Sequence, residues 1–521
     1  MVFGIYFTPQ YKKTLFNHCI KKPLMDSSAI FLIIVHSAQC ANILGVFTFP
    51  SLGHQIVQHS LCRELSLRGH QVTVITPTPF HDSTLTNLTE ISIDFVYDIM
   101  KQRSIQTQDI SIYQKSINAF ECFDSIIEIA MNSTQVLQLI GDQDRKFDLI
   151  LMELMHPVLL GFGARFGAPS IGISTRPFQH PVVYSDQFLT THTKPLSLWE
   201  RFGSITYFLW SKFYYQWVFV PRAQRMATKY FGEVSYVDLE KNLSLCFLGV
   251  NSLILSQKPE TPAMVDIGPI HIHPPKPLPE DLQEVLDRAK TGVIYLSLGT
   301  NIKSIDIDQK LRTVMVEALG ELPYTVLWKW ESDRLPGKPN NVVTRKWFPQ
   351  QDILAHPNIK AFVTQGGIQS TEEAIAREVP IIGMPFINDQ PTTVQKLVDL
   401  GIAKRVDPAT VTKTELKSVI IHVAESRRYK DRIKEVCSIM FDKPMSGLET
   451  AVWWSEYVIR HKDVRHLRSP TADSSRYHYF NDAVIVGLQL TVIVCVMRSH
   501  KLSAILKFHF CCLLLIYYFT P

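Results

Sequence analysis

The chain begins a fold twice in the same way. "NILGVFTFPSLGHQ" (42–55) carries an apolar strand into a glycine-containing loop; a helix follows to about Arg68, Gly69 ends it, and "HQVTVITP" is the next strand. "GVIYLSLGTNIKS" (292–304) opens the second half with another apolar strand and a Gly-Thr turn. Between them, "GPIHIHPPKPLPEDLQE" places four prolines from Pro274 to Pro279. Proline has no N–H to donate and clashes with the preceding turn, so this stretch reads as a linker. Beyond it, "YTVLWKW", "IKAFVTQ" and "VPIIGMPF" are short apolar strands separated by helical stretches. Continuous apolar strands alternating with helices predict an α/β fold with parallel sheets covered on both faces. Two such domains facing one cleft is the simplest architecture, with ligands at the carboxyl ends of the strands. "LWERFGSITYFLWSKFYYQWVFV" (198–220) is aromatic-rich and weakly charged, and is read as helical core; a membrane-surface or acceptor-pocket role is the alternative.

Both ends carry membrane signals. An apolar run, Ala29 to Val35, precedes the small-x-small pattern Ala38-Gln39-Cys40, with Lys21 and Lys22 as a positive flank. The run is too short to span a bilayer, so a removed signal peptide is expected, with residues 1–24 as an extension ahead of Met25. At the other end, residues 479–497 form an apolar segment bounded by aromatics and by Arg498 and Lys501, which predicts a transmembrane helix with residues 498–521 as a cytosolic tail. The apolar run 508–519 is too short to span. The segment between would face the secretory lumen, in keeping with acceptor triplets at Asn87, Asn132 and Asn242. The expected divisions are 1–40, a first domain 41–273, a linker 274–282 and a second domain 283–470. Cys62, Cys122, Cys246 and Cys437 are scattered in apolar surroundings and form no disulfide framework. The charge balance is only +5, and no basic run interleaves with aromatics, so a nucleic-acid surface is not implied.

"FVTQGGIQSTEEA" (362–374) ends a strand with paired glycines and begins a polar helix. Gly366 and Gly367 allow close backbone approach, and free amides at the helix start favour a phosphate. Ser370 and Glu373 also fit a capping box, so the local pattern alone supports helix initiation and ligand binding equally. Nearby, "KWFPQQDILAHP" and "VPIIGMPFINDQ" bring Trp347, Gln350, Asp389 and Gln390 to strand ends beside Gln365, Ser370 and Glu373. An aromatic face, a phosphate-cradling turn and carboxylates that accept hydroxyl protons suit a base, a diphosphate and sugars.

From about Ala41 to the tail, the chain resembles the UDP-glycosyltransferases of the membrane-bound glucuronosyl- and glucosyltransferase family, its insect members above all. The signature is W-x-P-Q, then G-G-x-x-S-x-x-E, then D-Q, with further matches in "ILGVFTFPSLGHQ", "GVIYLSLGTN" and "AVWWSEYVIRHK". The resemblance implies a GT-B fold of two Rossmann-like domains, the first binding a lipophilic acceptor and the second a UDP-sugar. It implies that Trp347 stacks on uracil, Gln350 contacts the uridine, Thr300 and Gln365 face the diphosphate beside Gly366 and Gly367, and Ser370 lies by the phosphates. Glu373 would accept from the ribose hydroxyls, and Asp389 with Gln390 would hold the sugar. The family's base is a histidine in the first loop, here His54; His59 and His70 lack that placement. Its usual aspartate partner is matched by Glu153, with Asp148 as the weaker choice. Glutamine at 365 replaces the more usual histidine and cannot become an imidazolium. Thr393 replaces a frequent asparagine, leaving the sugar end less defined than the uridine end.

The resemblance thus implies an inverting transfer of a hexose, glucose by the insect-like motifs, to a phenol, alcohol or steroid, with no metal and no cofactor beyond the UDP-sugar. It also implies a single-pass endoplasmic reticulum protein with a lumenal catalytic part and a membrane partner, and it allows a homo-oligomer. Asp306-Ile307-Asp308 mimics a D-x-D metal motif but is expected on the surface. No His/Cys cluster has zinc spacing. "GFGARFG" (161–167) would argue for a nucleotide-dependent dehydrogenase, but its glycines fall within a helix-like stretch rather than between strand and helix. A non-catalytic lipophile- or UDP-binding protein on the same scaffold is the main rival; retention of both His54 and the donor residues favours an enzyme.

Overall fold

The structure is a computed structural model; it describes residues 40–98, 111–175, 197–235, 239, 243–254, 261–387, 389–468 and 491. The expected signal segment, Asn242 and, apart from Thr491, the expected transmembrane segment lie outside these residues. Among the described residues no helix is long and apolar enough to cross a membrane.

Two parallel sheets organise the chain. The first contains β1 (Asn42–Val46), β2 (Gln71–Thr76), β3 (Leu88–Ser92), β4 (Leu149–Glu153), β5 (Ser170–Ser174), β6 (Leu243–Leu248) and β7 (Met264–Asp266), in the spatial order β3-β2-β1-β4-β5-β6-β7. The second contains β8 (Val293–Ser297), β9 (Thr325–Lys329), β10 (Val342–Arg345), β11 (Ile359–Thr364), β12 (Ile381–Gly383) and β13 (Ala403–Arg405), in the order β10-β9-β8-β11-β12-β13. Every residue of β4, β5, β6 and β8 is buried, as strands covered on both faces must be. Each fully buried Val, Leu or Ile there contributes roughly 1.5–3 kcal/mol, so helices on both faces hold each sheet. In both sheets the strand order reverses beside the first strand, between β1 and β4 and between β8 and β11. These are the switch points at which open α/β sheets leave a crevice at the strands' carboxyl ends.

Four helices bear on the site: α1 (Leu52–Leu67) after β1, α2 (Ile112–Met131), α3 (Ile368–Ala376) after β11, and α4 (Gly447–His461). The described prolines precede a helix that begins at Glu280, inside the expected linker. The second domain is also shorter than its expected end at 470. Ala451, Val452 and Val458 of α4 are buried in the first domain's core with Ile43, Val57 and Leu151, so the chain crosses back after residue 446. "GFGARFG" forms a short helix, Gly161–Phe166, closed by left-handed Gly167, rather than a nucleotide loop.

Two further expectations need correction. Leu198–Tyr214 is helical, but Leu198, Trp199 and Phe202 at its start are exposed, so that end is not core. Ser370 and Glu373 form no capping box: α3 starts at Ile368 with Gly367 at its N-cap, which puts Ser370 inside the first turn. The same S-x-x-E spacing does make a capping box at Ser446 and Glu449, because there the serine itself sits at the N-cap. The paired glycines decide the difference by starting α3 early. Of the described glycosylation triplets, Asn132 is exposed. Asn87 is unsuited, because its Nδ2 already donates to the carbonyls of Ser66 (2.7 Å) and His70 (2.6 Å).

Candidate active site

The first switch point positions a histidine. Ser51, at the N-cap of α1, gives its hydroxyl to no cap bond; it accepts instead from Nδ2 of Asn301 in the second domain, at 3.3 Å. His54 lies in the first turn of α1, and its Nδ1 is 2.7 Å from Oε1 of Glu153, the last residue of β4. Glu153 is 1% exposed and its Oε2 accepts the Phe49 N–H at 3.2 Å, so the carboxylate is held at both oxygens. A carboxylate at Nδ1 places a hydrogen there and leaves Nε2 as the lone-pair nitrogen able to take a proton. The Phe49 ring lies 5.0 Å from the imidazole and 5.8 Å from Phe123 on α2, giving the histidine an aromatic neighbourhood. The other candidates have structural roles. Asp148 accepts the Asn42 N–H, and His70 accepts the Ala41 N–H. His59 stacks on Phe80 at 3.9 Å, and burial pushes its imidazole down to about 4.

The second switch point gathers the glycine turns and the Gln, Ser and Glu side chains singled out in the sequence. Gly299, after β8, has φ +82°, and a Cβ there would run into the Gln365 side-chain amide, so this turn requires glycine twice over. Gln365 is buried against that turn, and its Oε1 has no hydrogen-bond partner among the described residues. Thr300 is exposed beside it. Gln350 Nε2 donates to Ser370 Oγ at 3.0 Å and to Glu373 Oε2 at 2.6 Å, while Tyr295 donates to Gln350 Oε1 at 3.2 Å. The W-x-P-Q and G-G-x-x-S-x-x-E segments are thus one bonded unit. Gln390 Oε1 accepts the N–H groups of Phe386 (2.9 Å) and Ile387 (3.0 Å), and Asp389 sits at the N-cap of the same helix without capping it. Thr393 is buried. Asp308 is an exposed helix cap bonded to the Lys310 N–H, and Asp306 is exposed, as expected of a surface D-x-D. Among the described residues no group of three or more His, Cys, Asp or Glu could hold a metal ion.

Trp347 is 57% exposed, and Lys329 Nζ lies 5.7 Å from its ring centroid. An indole left in solvent beside these loops contributes little to packing and offers a flat face. Trp347→Ala is expected to weaken UDP binding by about 5–150-fold, from roughly 1–3 kcal/mol of base stacking, without lowering the melting temperature. Isothermal titration with UDP and a thermal melt measure both.

Sequence reading missed the buried groups behind α3. Glu372 is fully buried, its Oε1 accepts the Asn251 N–H at 2.8 Å, and burial pushes its carboxyl up to about 8. Burial pushes Glu373 up to about 7 against the bonds from Gln350 and Gln351. Both are retained in the protonated form in the folded state where the unfolded chain has released its proton. Stability therefore falls as pH rises from about 4.5, by about 1.4 kcal/mol per pH unit per group, and levels off above each raised value. Glu372→Gln is expected to melt several degrees above the parent protein at pH 8, with the gap closing near pH 4.5. Thermal melts across pH test this.

Two doubly wound domains with their switch points facing, one carrying a His–Glu pair and the other a glycine turn with bonded Gln, Ser and Glu, define a GT-B glycosyltransferase architecture. Of solved structures, TcCGT1 in complex with UDP shares this fold at TM-score 0.55 and 15% identity, covering 82% of this chain and 100% of that one. The family profile of UDP-glucoronosyl and UDP-glucosyl transferase matches residues 45–513. The chain belongs to that family and is a UDP-glycosyltransferase. Relatives include UDP-glucosyltransferase 2 of Dactylopius coccus, 32% identical over 89% of this chain and 92% of that one. The ecdysteroid UDP-glucosyltransferase of Mamestra brassicae nuclear polyhedrosis virus is 30% identical over 83% of this chain and 87% of that one.

Proposed function

We propose that the protein transfers glucose from UDP-glucose, with inversion, to a hydroxyl of a small lipophilic acceptor such as a phenol, alcohol or steroid, with His54 as general base. The observation that carries this reading is the 2.7 Å His54–Glu153 pair at the carboxyl ends of β1 and β4. As the acceptor oxygen attacks the anomeric carbon, its proton passes to Nε2 of His54, and Glu153 stabilises the imidazolium that forms. The bond from the anomeric carbon to the diphosphate oxygen breaks on the opposite face, and UDP leaves with that electron pair. Backbone amides at the start of α3 and the amide of Gln365 stabilise the charge developing on the diphosphate. Phe49 and Phe123 favour an apolar acceptor beside the base. Glucose is supported by the relatives named as glucosyltransferases. The apolar segments at both ends support a single-pass protein of the endoplasmic reticulum with this site in the lumen.

The test incubates full-length protein with a phenol and either UDP-glucose or UDP-glucuronate, measuring UDP release and the anomeric configuration of the product. Preferential turnover of UDP-glucose to the β-glucoside is expected. Preference for UDP-glucuronate overturns the donor assignment. UDP binding without turnover of either donor overturns the catalytic reading.

A further inference from the structure

Helix α3 carries two adjacent stripes. Ser370 and Glu373 stand three residues apart and bond to Gln350 on the donor side. Gln369 and Glu372 have the same spacing one residue over, and their bonds reach the segments that follow β5 and β6, the second of which packs Val250 and Ile254 into the second domain's core. Gln369 Nε2 donates to the Thr175 carbonyl, just past β5, at 3.2 Å, and Glu372 Oε1 accepts the Asn251 N–H, just past β6, at 2.8 Å. A Cβ on Gly53, the residue before His54, would lie 2.9 Å from Gln369 Oε1. The first turn of α1, which holds His54, is therefore packed directly on α3.

A third contact closes the set. His271, in the segment leading to the linker, lies with Nε2 3.3 Å from the Gln369 carbonyl, which requires a hydrogen on that nitrogen. Its Nδ1 is then a lone pair, and it faces Oε2 of Glu372 at 3.9 Å; neither atom has a hydrogen-bond partner among the described residues. A proton on Glu372 belongs in that gap. A fully buried carboxyl held by one backbone N–H costs stability, and its position between two domains and their linker accounts for its presence there.

We propose that Gln369 and Glu372 are positioning residues that register the donor helix against the first domain and set the distance across which His54 faces the sugar. The proposal rests on the reading of His54 as the base. Misplacement of reacting groups by about 1 Å can cost on the order of a hundredfold in rate, so loosening this contact acts on kcat. The two stripes meet at Gln351, whose Nε2 donates to Glu373 Oε1 at 3.3 Å and to the His271 carbonyl at 3.0 Å, but Ser370 and Glu373 keep their own bonds to Gln350, so UDP affinity is expected to change little.

The test measures kcat and UDP affinity, the latter by titration calorimetry, in full-length protein shown to release UDP from a UDP-sugar. Gln369→Ala and Glu372→Ala are expected to lower kcat about tenfold or more with UDP affinity within about twofold. Glu372→Gln keeps an acceptor for Asn251 and, like the protonated carboxyl, a donor toward His271, so its kcat is expected to stay within about threefold of the parent. Gly53→Ala introduces no backbone strain and favours the helix, yet is expected to lower kcat about tenfold in the parent and less than twofold in the Gln369→Ala background, where the displaced atom is gone. Equal losses in kcat and UDP affinity, unchanged kcat, glutamine as damaging as alanine at 372, or an undiminished Gly53 effect in the double variant each overturn the proposal. Should Glu372→Ala fail to fold, Glu372→Gln and the Gly53–Gln369 cycle decide. A parent without turnover overturns the catalytic reading instead. Hydrogen exchange in UDP-bound parent and Gln369→Ala then tests registration alone: faster exchange in the variant of the Asn251 amide that Glu372 accepts supports it, and unchanged protection overturns it.

Discussion

Replacing His54, the proposed base, with glutamine is expected to lower kcat by about 10²–10⁴-fold and to leave UDP affinity unchanged. Glutamine nearly preserves the volume of the imidazole and can still donate to Glu153, so the first turn of α1 and the buried carboxylate keep a partner. What it removes is the one nitrogen that can take a proton. An acceptor that arrives already ionised does not need that nitrogen, so the deficit shrinks for acidic phenols and as pH approaches the phenol's own pKa. A residue that merely shaped the cleft would show the same deficit with every acceptor. Unchanged kcat, or a loss confined to UDP affinity, would remove His54 from the chemistry.

Glu153→Gln has the second largest expected effect, a loss in kcat of roughly 10²-fold. The carboxylate accepts from His54 and from the Phe49 N–H, and a neutral amide can keep at most one of these bonds without turning its NH₂ toward a donor. The charge that stabilises the imidazolium is lost, and the tautomer is no longer fixed. Because both residues act on one proton transfer, the His54→Gln/Glu153→Gln double variant is expected to be little slower than His54→Gln alone. Multiplicative losses would show that Glu153 works on something other than His54, and steady-state kinetics of the three variants distinguishes the cases.

The parts of this protein legible in its sequence are those fixed by local pattern. Apolar strands followed by glycine turns located β1, β8 and β11 and placed His54, Thr300 and Gln365 at their ends. Parallel sheets dictate that such residues meet at a switch point. Glu153 was legible through the family resemblance, which matched it to the usual aspartate partner at the end of a later strand; that this strand, β4, lies beside β1 came from the structure. What the sequence hid depends on chain separations of a hundred residues or more. The bond from Asn251 to Glu372 spans 121 positions and that from Gln369 to Thr175 spans 194, and nothing in "STEEA" marks one carboxylate for the nucleotide and its neighbour for the other domain. Only the i, i+3 repetition across 369–373 was a signal, and it becomes readable once α3 is known to start at Ile368. The return of α4 to the first domain was masked for the same reason: an amphipathic helix states that one face is buried, not against which core. The exposed start of Leu198–Tyr214 shows the converse, since aromatic content alone does not distinguish a core face from one left in solvent.

The most direct test is the rate of UDP release with a series of phenols of graded acidity, compared between the parent and His54→Gln. The account predicts a shallow dependence on phenol pKa in the parent, where the base shares the proton, and a steep one in the variant, with the two converging for the most acidic phenols. Parallel dependences separated by a constant factor would contradict it.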